Sequence, residues 1–548
     1  MDGPAAGAAA APVRDAAPGS QPPPGAAPGG MPLREALLTG RYLGAAQAGM
    51  ARAVAEFAAG SATPLRDWFG DAGLAAILGH DGGHDGGRDG GADGAGGGAP
   101  RARRRALERL REAIDRDIAA LDARLHEQIA TILAHPRLQR LESSWRGLEW
   151  LTERVPYGAR VQLRLYAARW AELCRDFERA AEFDQSALFK AVYEEEFGRP
   201  GGQPYGLLLA DYELRHAPGP GSPTDDVAGL DGLAGVAAAA FSPTAVAAHP
   251  VLFGLDAYAD AGASLDLTEI LRGADRQRWR NLQGREDSRF LAVLLPRVLG
   301  RAPWPDEAVR ADGFRPRGAL GPRLWTNPVY ALGATALRAF AQYGWPADIR
   351  GATVAERAAG GVVDGLPAER LSGDPPGPPP RPPVELALTD LQERQLVEAG
   401  LLPLLGLEGL PEASFAATPG LHRPPRMMAE GAEANQRLSA QFNAILCVSR
   451  FAHCIKVMGR DMVGSFRTAE EIELKLQRWL GGFANSSASG SGESAARYPL
   501  RGARVEVREQ PGRPGVYGCI IHLQPHYQLD EVGAAFRLVT DLQAAKAA

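Results

Sequence analysis

Between Arg101 and Leu133 the apolar residues Leu107, Leu110, Ile114, Ile118, Leu121, Leu125, Ile129 and Ile132 recur with steps of 3, 4, 4, 3, 4, 4 and 3. Such steps put all eight on one face of an α-helix. An eleven-residue repeat lies close to the natural pitch of a helix, so the stripe stays nearly straight instead of coiling left-handed about a partner. A rod of about thirty residues spans roughly 45 Å. It either braces its own domain or reaches a neighbour. The opposite face carries Arg109, Glu112, Arg116, Asp122 and Glu127. The cluster Arg101, Arg103, Arg104 and Arg105 reads more simply as an exposed helix start than as a nucleic-acid patch, because no aromatic is interleaved with it.

The stripe stops at His135-Pro136, since proline inside a helix lacks an N–H and clashes with the turn before it. A second stripe then begins on Leu138, Leu141, Trp145 and Leu148, with Arg137, Arg140, Glu142 and Glu149 off it. This predicts a packing helix with Trp145 as its core anchor.

Upstream of the rod, residues 1–30 are Ala, Gly and Pro and too poor in large apolar groups to order. Residues 31–79 predict a small helical unit on Leu33, Leu37, Tyr42, Met50, Val54, Phe57, Trp68, Phe69, Leu74 and Ile77. Residues 80–100 read as a glycine-rich linker. His80, Asp81, His84 and Asp85 could hold a metal only by ordering that linker at the metal's expense, so no metal is assigned. Residues 101–151 hold the rod and its following helix, 152–371 an α/β domain, 372–383 a proline-rich connector, and 384–548 a C-terminal domain.

Within 152–371 strand and helix signals alternate. Val161, Leu163 and Leu165 against Gln162, Arg164 and Tyr166 predict a half-buried strand. Residues 205–214 predict a buried strand, Val227–Ala240 a helix, and 275–286 a helix carrying Trp279. Phe290 to Trp304 predicts a strand running into a proline-stopped turn, and Asn327–Tyr343 a further helix. The fold class expected is α/β or α+β, a mixed-sheet core with flanking helices. A helix over 389–399 should end at Gly400. Residues 432–480 predict two helices, the second opened by a capping box, Thr468 to Glu471. Strands at 503–509, 516–523 and 534–540 end the chain with no long helix after them. Their unpaired backbone groups invite another polypeptide.

Chemistry is hard to find. Sixty Lys+Arg against 65 Asp+Glu give a net charge of -5, which offers no bulk field for nucleic acid or anionic lipid. Cys174, Cys447, Cys454 and Cys519 are too few for a disulfide framework. The absence of a signal peptide and of any 18-residue apolar run predicts a cytoplasmic protein with no membrane span. No phosphate-binding loop, dinucleotide fingerprint, zincin motif or nucleophile elbow occurs, and no cofactor is implied. His453 beside Cys454 invites a thiolate–imidazole pair, but adjacent helical residues point about 100° apart, which favours a core histidine. Arg285, Glu286, Asp287 and Arg289 read as helical ion pairs.

As strings of letters several segments are more specific. HPRLQRLESSWRGL (135–148), LFKAVYEEEFG (188–198), LLLADYEL (207–214), HPVLFG (249–254), YGW (343–345), GGVVDGLP (360–367), RFAHCIKVMGRDMVGSF (450–466) and QPHYQL (524–529) occur in this order. Together they resemble the large subunit of the type VI secretion contractile sheath (TssC/VipB-like). Trp145, Arg146, Gly147, Pro296, Arg297, Trp345, His453 and Lys456 stand in these or neighbouring motif segments. The resemblance implies a bacterial structural protein, not an enzyme. It would pair with a small sheath subunit and further copies of itself around an Hcp-type inner tube. Baseplate components and, indirectly, an AAA+ recycling ATPase complete the implied partners. A head-to-tail interface that does not close builds a helical filament. Val505, Val507, Ile520, Leu523, Phe536 and Leu538 are the expected strand-pairing residues. Removing residues 500–548 should then abolish assembly and leave the α/β core folded. The first hundred residues exceed the usual start of the family, so a non-polymerising accessory copy is the alternative, and an unrecognised hydrolase the third.

Overall fold

The computed structural model describes residues 63–78 and 98–542, apart from short interior stretches of which the longest are 306–313, 352–358, 424–439, 510–516 and 526–535. The candidate metal residues His80, Asp81, His84 and Asp85 and most of the 31–79 unit lie outside the described residues. Two compact units divide the chain, residues 1–133 with 304–321, and 134–303 with 322–548.

The first unit holds α1 (Thr63–Leu78) and the rod α2 (Gly98–Leu133). Phe69 and Ala113 are buried, and Trp68 Nε1 donates to the Asp117 carboxylate at 3.0 Å. The buried positions of α2, Ala113 and Asp117, lie to one side of the apolar stripe. Leu107, Ile118, Leu125 and Ile132 are therefore left exposed.

The second unit opens with α3 (Pro136–Glu153). His135 caps it by accepting the Arg137 N–H on Nδ1, and Pro136 takes the first helical position, where its missing N–H costs nothing. The expected orientation is wrong. Trp145 is 60% exposed and Leu141 57%, while Gly147 and Leu151 are the buried residues of the helix. A Cβ on Gly147 would stand 2.4 Å from two ring carbons of Tyr330, so the absent side chain is what lets α3 lie so close to α7 (Val329–Tyr343). Periodicity finds an apolar stripe; closest approach decides which side of it meets the core.

Residues 161–166 join no sheet, and Leu163, Leu165 and Tyr166 are exposed, so the strand expected there does not form. The chain continues through α4 (Trp170–Arg179), β1 (Leu208–Leu214), α5 (Asp226–Ala239), β2 (Thr244–Ala248), α6 (Gln277–Gln283) and β3 (Leu291–Leu295). The expected single strand from Phe290 is two, β3 and β4 (Val298–Arg301), and β4 pairs with β5 (Leu324–Thr326). After α7 come α8 (Asp390–Glu398), ended by Gly400 at φ +73°, and β6 (Leu402–Pro403).

Strands β1, β2, β3 and β6 form a parallel sheet in that order. Every residue of β2 and β3 is buried. Val246, Ala248, Leu291, Val293 and Leu295 join the core with Leu230 and Leu233 of α5, while Ala245, Ala292 and Leu294 join the core with Leu332 and Ala339 of α7. Helices on both faces make this an α/β layer structure. β1 is an edge strand instead of the buried one expected: its first six residues are only half-buried, and its register shifts between Ala210 and Glu213.

Gly147→Ala should lower the urea midpoint by an amount worth about 1–3 kcal/mol, because the new methyl overpacks the Tyr330 contact. Trp145→Ala should stay within about 0.5 kcal/mol of wild type, as exposed substitutions do. Equilibrium unfolding of both variants decides, and the reverse order would restore Trp145 as the anchor.

Candidate assembly interface

The C-terminal domain adds α9 (Phe442–Met462), α10 (Ala469–Gly481) and the strands β7 (Leu500–Glu509), β8 (Tyr517–Pro525) and β9 (Phe536–Leu542). Thr468 and Glu471 form the capping box at the start of α10. The strands make an antiparallel sheet in chain order, with Val505 opposite Ile521, Val507 opposite Cys519, Ile521 opposite Leu538 and Leu523 opposite Phe536.

One face of this sheet is covered, contrary to the expectation from the chain order. Val505, Val507, Cys519, Ile521 and Leu523 are buried in one core with Phe451 and Ile455 of α9 and Ile472, Leu476 and Leu480 of α10. The covering helices precede the strands instead of following them. Ile520 is opposite Glu506, on the other face, and is half-buried. The side chains of Val505, Val507 and Leu523 thus serve the chain's own core. Phe536 and Leu538 pair through their backbones, and their side chains lie outside the described residues.

The ladder tells which backbone groups point outward. The N–H groups of Val505 and Val507 donate to side chains of α10, away from β8. Antiparallel strands alternate the direction of their hydrogen bonds residue by residue. Carried across the register, this turns Phe536, Leu538 and Thr540 toward β8 and Arg537, Val539 and Asp541 away from it. Among the described residues no strand pairs with that outer side of β9.

Ion pairs, most of them between residues far apart in the chain, fasten the sheet domain. Arg297, just past β3, donates to Glu213 of β1 (Nη2–Oε2, 2.8 Å, with Nε on Oε1) and to Glu385 at 3.2 Å. Burial opposes the charge on Arg297, but its hydrogen bond and attraction to Glu213 more than offset this and raise its pKa. Burial raises the pKa of Glu385 despite Arg297. Arg146 and Arg301 share Glu142: Arg301 donates at 2.7 and 2.9 Å and Arg146 at 2.7 Å. Hydrogen bonding from Arg301 is the largest influence on Glu142, and its pKa falls despite burial. Pro296 lies between β3 and Arg297. Trp345 stacks on Phe451 with ring centroids 4.2 Å apart.

Residues 115–422 match the family described as EvpB/VC_A0108, tail sheath N-terminal domain. Residues 431–542, which hold α9, α10 and the terminal strands, match its tail sheath gpW/gp25-like domain. The chain belongs to the type VI secretion sheath large-subunit family, TssC/VipB. It is 34% identical over 445 residues to the type VI secretion system sheath protein TssC1 of Pseudomonas aeruginosa, covering 80% of this chain and 87% of that one. This is a family of structural sheath proteins.

In this sheath subunit His453 is a core residue: it is buried, and its Nε2 lies 3.0 Å from the Ala240 carbonyl. Its Nδ1 has no partner, and burial pushes its pKa down to about 4. Burial also pushes the Cys454 thiol up, so neither half of the imagined thiolate–imidazole pair takes the charged form it would need. Lys456 donates to the Tyr193 hydroxyl at 2.8 Å and lies 3.9 Å from the Phe197 ring centre. Arg285 to Asp287 and Arg289 to Glu286 pair at 3.7 and 3.8 Å on a 3-10 turn, where the expectation was an α-helix. Among the described residues no cluster of His, Cys, Asp and Glu could hold a metal, and no helix is long and apolar enough to cross a membrane.

Arg297→Ala strands two partly buried carboxylates and should cost about 3 kcal/mol in urea unfolding. Arg297→Lys should recover only part of this, since a lysine cannot reproduce the two-pronged contact with Glu213. His453 takes up its proton near pH 6.5 when unfolded and near 4 when folded, so stability should fall as pH drops through that window, by about 3 kcal/mol in all. The difference between wild type and His453→Gln, followed by urea midpoints from pH 7 to 4, isolates this contribution. A flat difference would refute it.

Proposed function

We propose that this chain is the structural large subunit of a type VI secretion sheath and co-assembles with a small sheath subunit and further copies of itself. The observation that carries the reading is the outer side of β9, whose Arg537, Val539 and Asp541 backbone groups point away from the sheet at the end of a domain that matches the sheath family. A strand from a neighbouring subunit added there gains main-chain hydrogen bonds that survive sliding and rotation of the bodies they join. The heterodimers stack as a helical tube around an Hcp-type inner tube in the bacterial cytoplasm, on baseplate components. Contraction drives the inner tube outward, and an AAA+ ATPase recycles the spent sheath. The domain boundaries read from the sequence belong to the same proposal, with residues 384–548 as the linking domain.

A second reading, an accessory copy that binds a sheath without polymerising, draws on the residues before 115, which the family match does not reach and which include α1. Tubes or discrete particles in negative stain, after co-expression with the small subunit, separate the two.

Removing all of 500–548 is a poor test, because Val505, Val507, Ile521 and Leu523 would leave the core they share with α9 and α10. Val539→Pro is sharper. It deletes an outward N–H and keeps the bonds to β8. The variant should purify with wild-type unfolding behaviour and form no tubes; normal tubes would refute strand addition at β9.

A further inference from the structure

The outer side of β7 has no long strand beside it, yet several of its polar groups are taken. The Leu500 N–H donates to the Phe483 carbonyl at 3.2 Å, and the Leu500 carbonyl accepts the Asn485 N–H at 2.8 Å. Further along, two side chains of α10 take over. Gln477 donates from Nε2 to the Ala503 carbonyl at 2.9 Å and accepts the Val505 N–H on Oε1 at 2.9 Å. Glu473 accepts the Val507 N–H on Oε2 at 3.0 Å. A carboxamide carries the same donor and acceptor as a peptide group, so Gln477 stands where the peptide of an adjacent strand would stand. Glu473 and Gln477 are four residues apart on a helix, a rise of about 6 Å. Val505 and Val507 are two residues apart on a strand, about 6.7 Å. The two spacings agree well enough for one helix face to serve successive outward amides.

We propose that Glu473 and Gln477 act as a substitute strand that closes the β7 edge, so that a strand of a neighbouring sheath subunit adds only at β9. The inference rests on the strand-addition reading and supplies what that reading lacks, a reason for growth in one direction. A sheet open at both edges pairs with whatever strand it meets, and with other copies of itself. A sheet open at one edge passes a single link to the next subunit, as a head-to-tail filament requires.

The test uses the full chain co-expressed with its small subunit. Amide exchange of segment 500–509 is followed by mass spectrometry and particle mass by light scattering. In Glu473→Ala/Gln477→Ala the segment should exchange at least tenfold faster than in wild type. With Val539→Pro added, the mass should rise above that of Val539→Pro alone, because strands now join at β7. Exchange at the wild-type rate overturns the proposal, and so does faster exchange with no gain in mass. If Val539→Pro by itself still builds normal tubes, addition at β9 is wrong, and closure at β7 is then judged by exchange and mass against wild type. Should the double variant lose cooperative unfolding, Gln477→Ala alone decides. It leaves the Val505 N–H without its acceptor, and exchange as slow as wild type would overturn the closure.

Discussion

Two-sided burial of β2 and β3 is the constraint on which the rest of the second unit depends. Nine of the ten residues in these strands are Ala, Val or Leu, and all ten are buried. Alternate side chains enter the α5 core and the α7 core. A parallel pair needs covering helices on each side, so the positions of α5 and α7 follow from this pair. The close approach of α3 to α7 at Gly147 follows in turn. β1, at the margin, is released from the requirement and carries Asp211 and Glu213, which fasten other elements.

Those fastenings are polar and long-range. Tyr330 shows how they combine: its ring meets Gly147, and its hydroxyl donates to Asp211 of β1 at 2.9 Å. Arg297 joins residues 84 and 88 positions away in the sequence. Such pairs add modest net stability, because removing charges from water costs nearly as much as their attraction returns. Their geometry is specific, however, and holds the open end of the sheet in one arrangement.

The C-terminal domain treats its two edges differently. At β7 the Ala503 carbonyl and the Val505 and Val507 N–H groups bond to side chains of the same chain; at β9 the ladder has no described continuation. Val505, Val507, Cys519, Ile521 and Leu523 along β7 and β8 point into a core with α9 and α10. Sequence patterns single out Val505 and Val507 and miss Glu473 and Gln477, because the latter look like ordinary polar positions on an amphipathic helix. Only the pairing of a helix turn with a strand repeat shows what they hold. The spacing of four between them is present in the chain, but its partner lies 26 to 34 residues away.

The sequence by itself determined the long rod of α2, the start of α3 at Pro136, the capping box of α10, the alternation that makes the core α/β, and the family through its ordered motifs. These are local patterns, set by periodicity, by proline and by short side chain–backbone bonds, and they do not depend on what lies across the fold. Tertiary structure alone decided that Trp145 faces outward while Gly147 is buried, that residues 161–166 join no described strand, that β1 is an edge, and that earlier helices cover the terminal sheet. Each depends on which of several apolar or extended surfaces reaches a partner first. That choice is made by close approach between segments far apart in the chain, where periodicity carries no information.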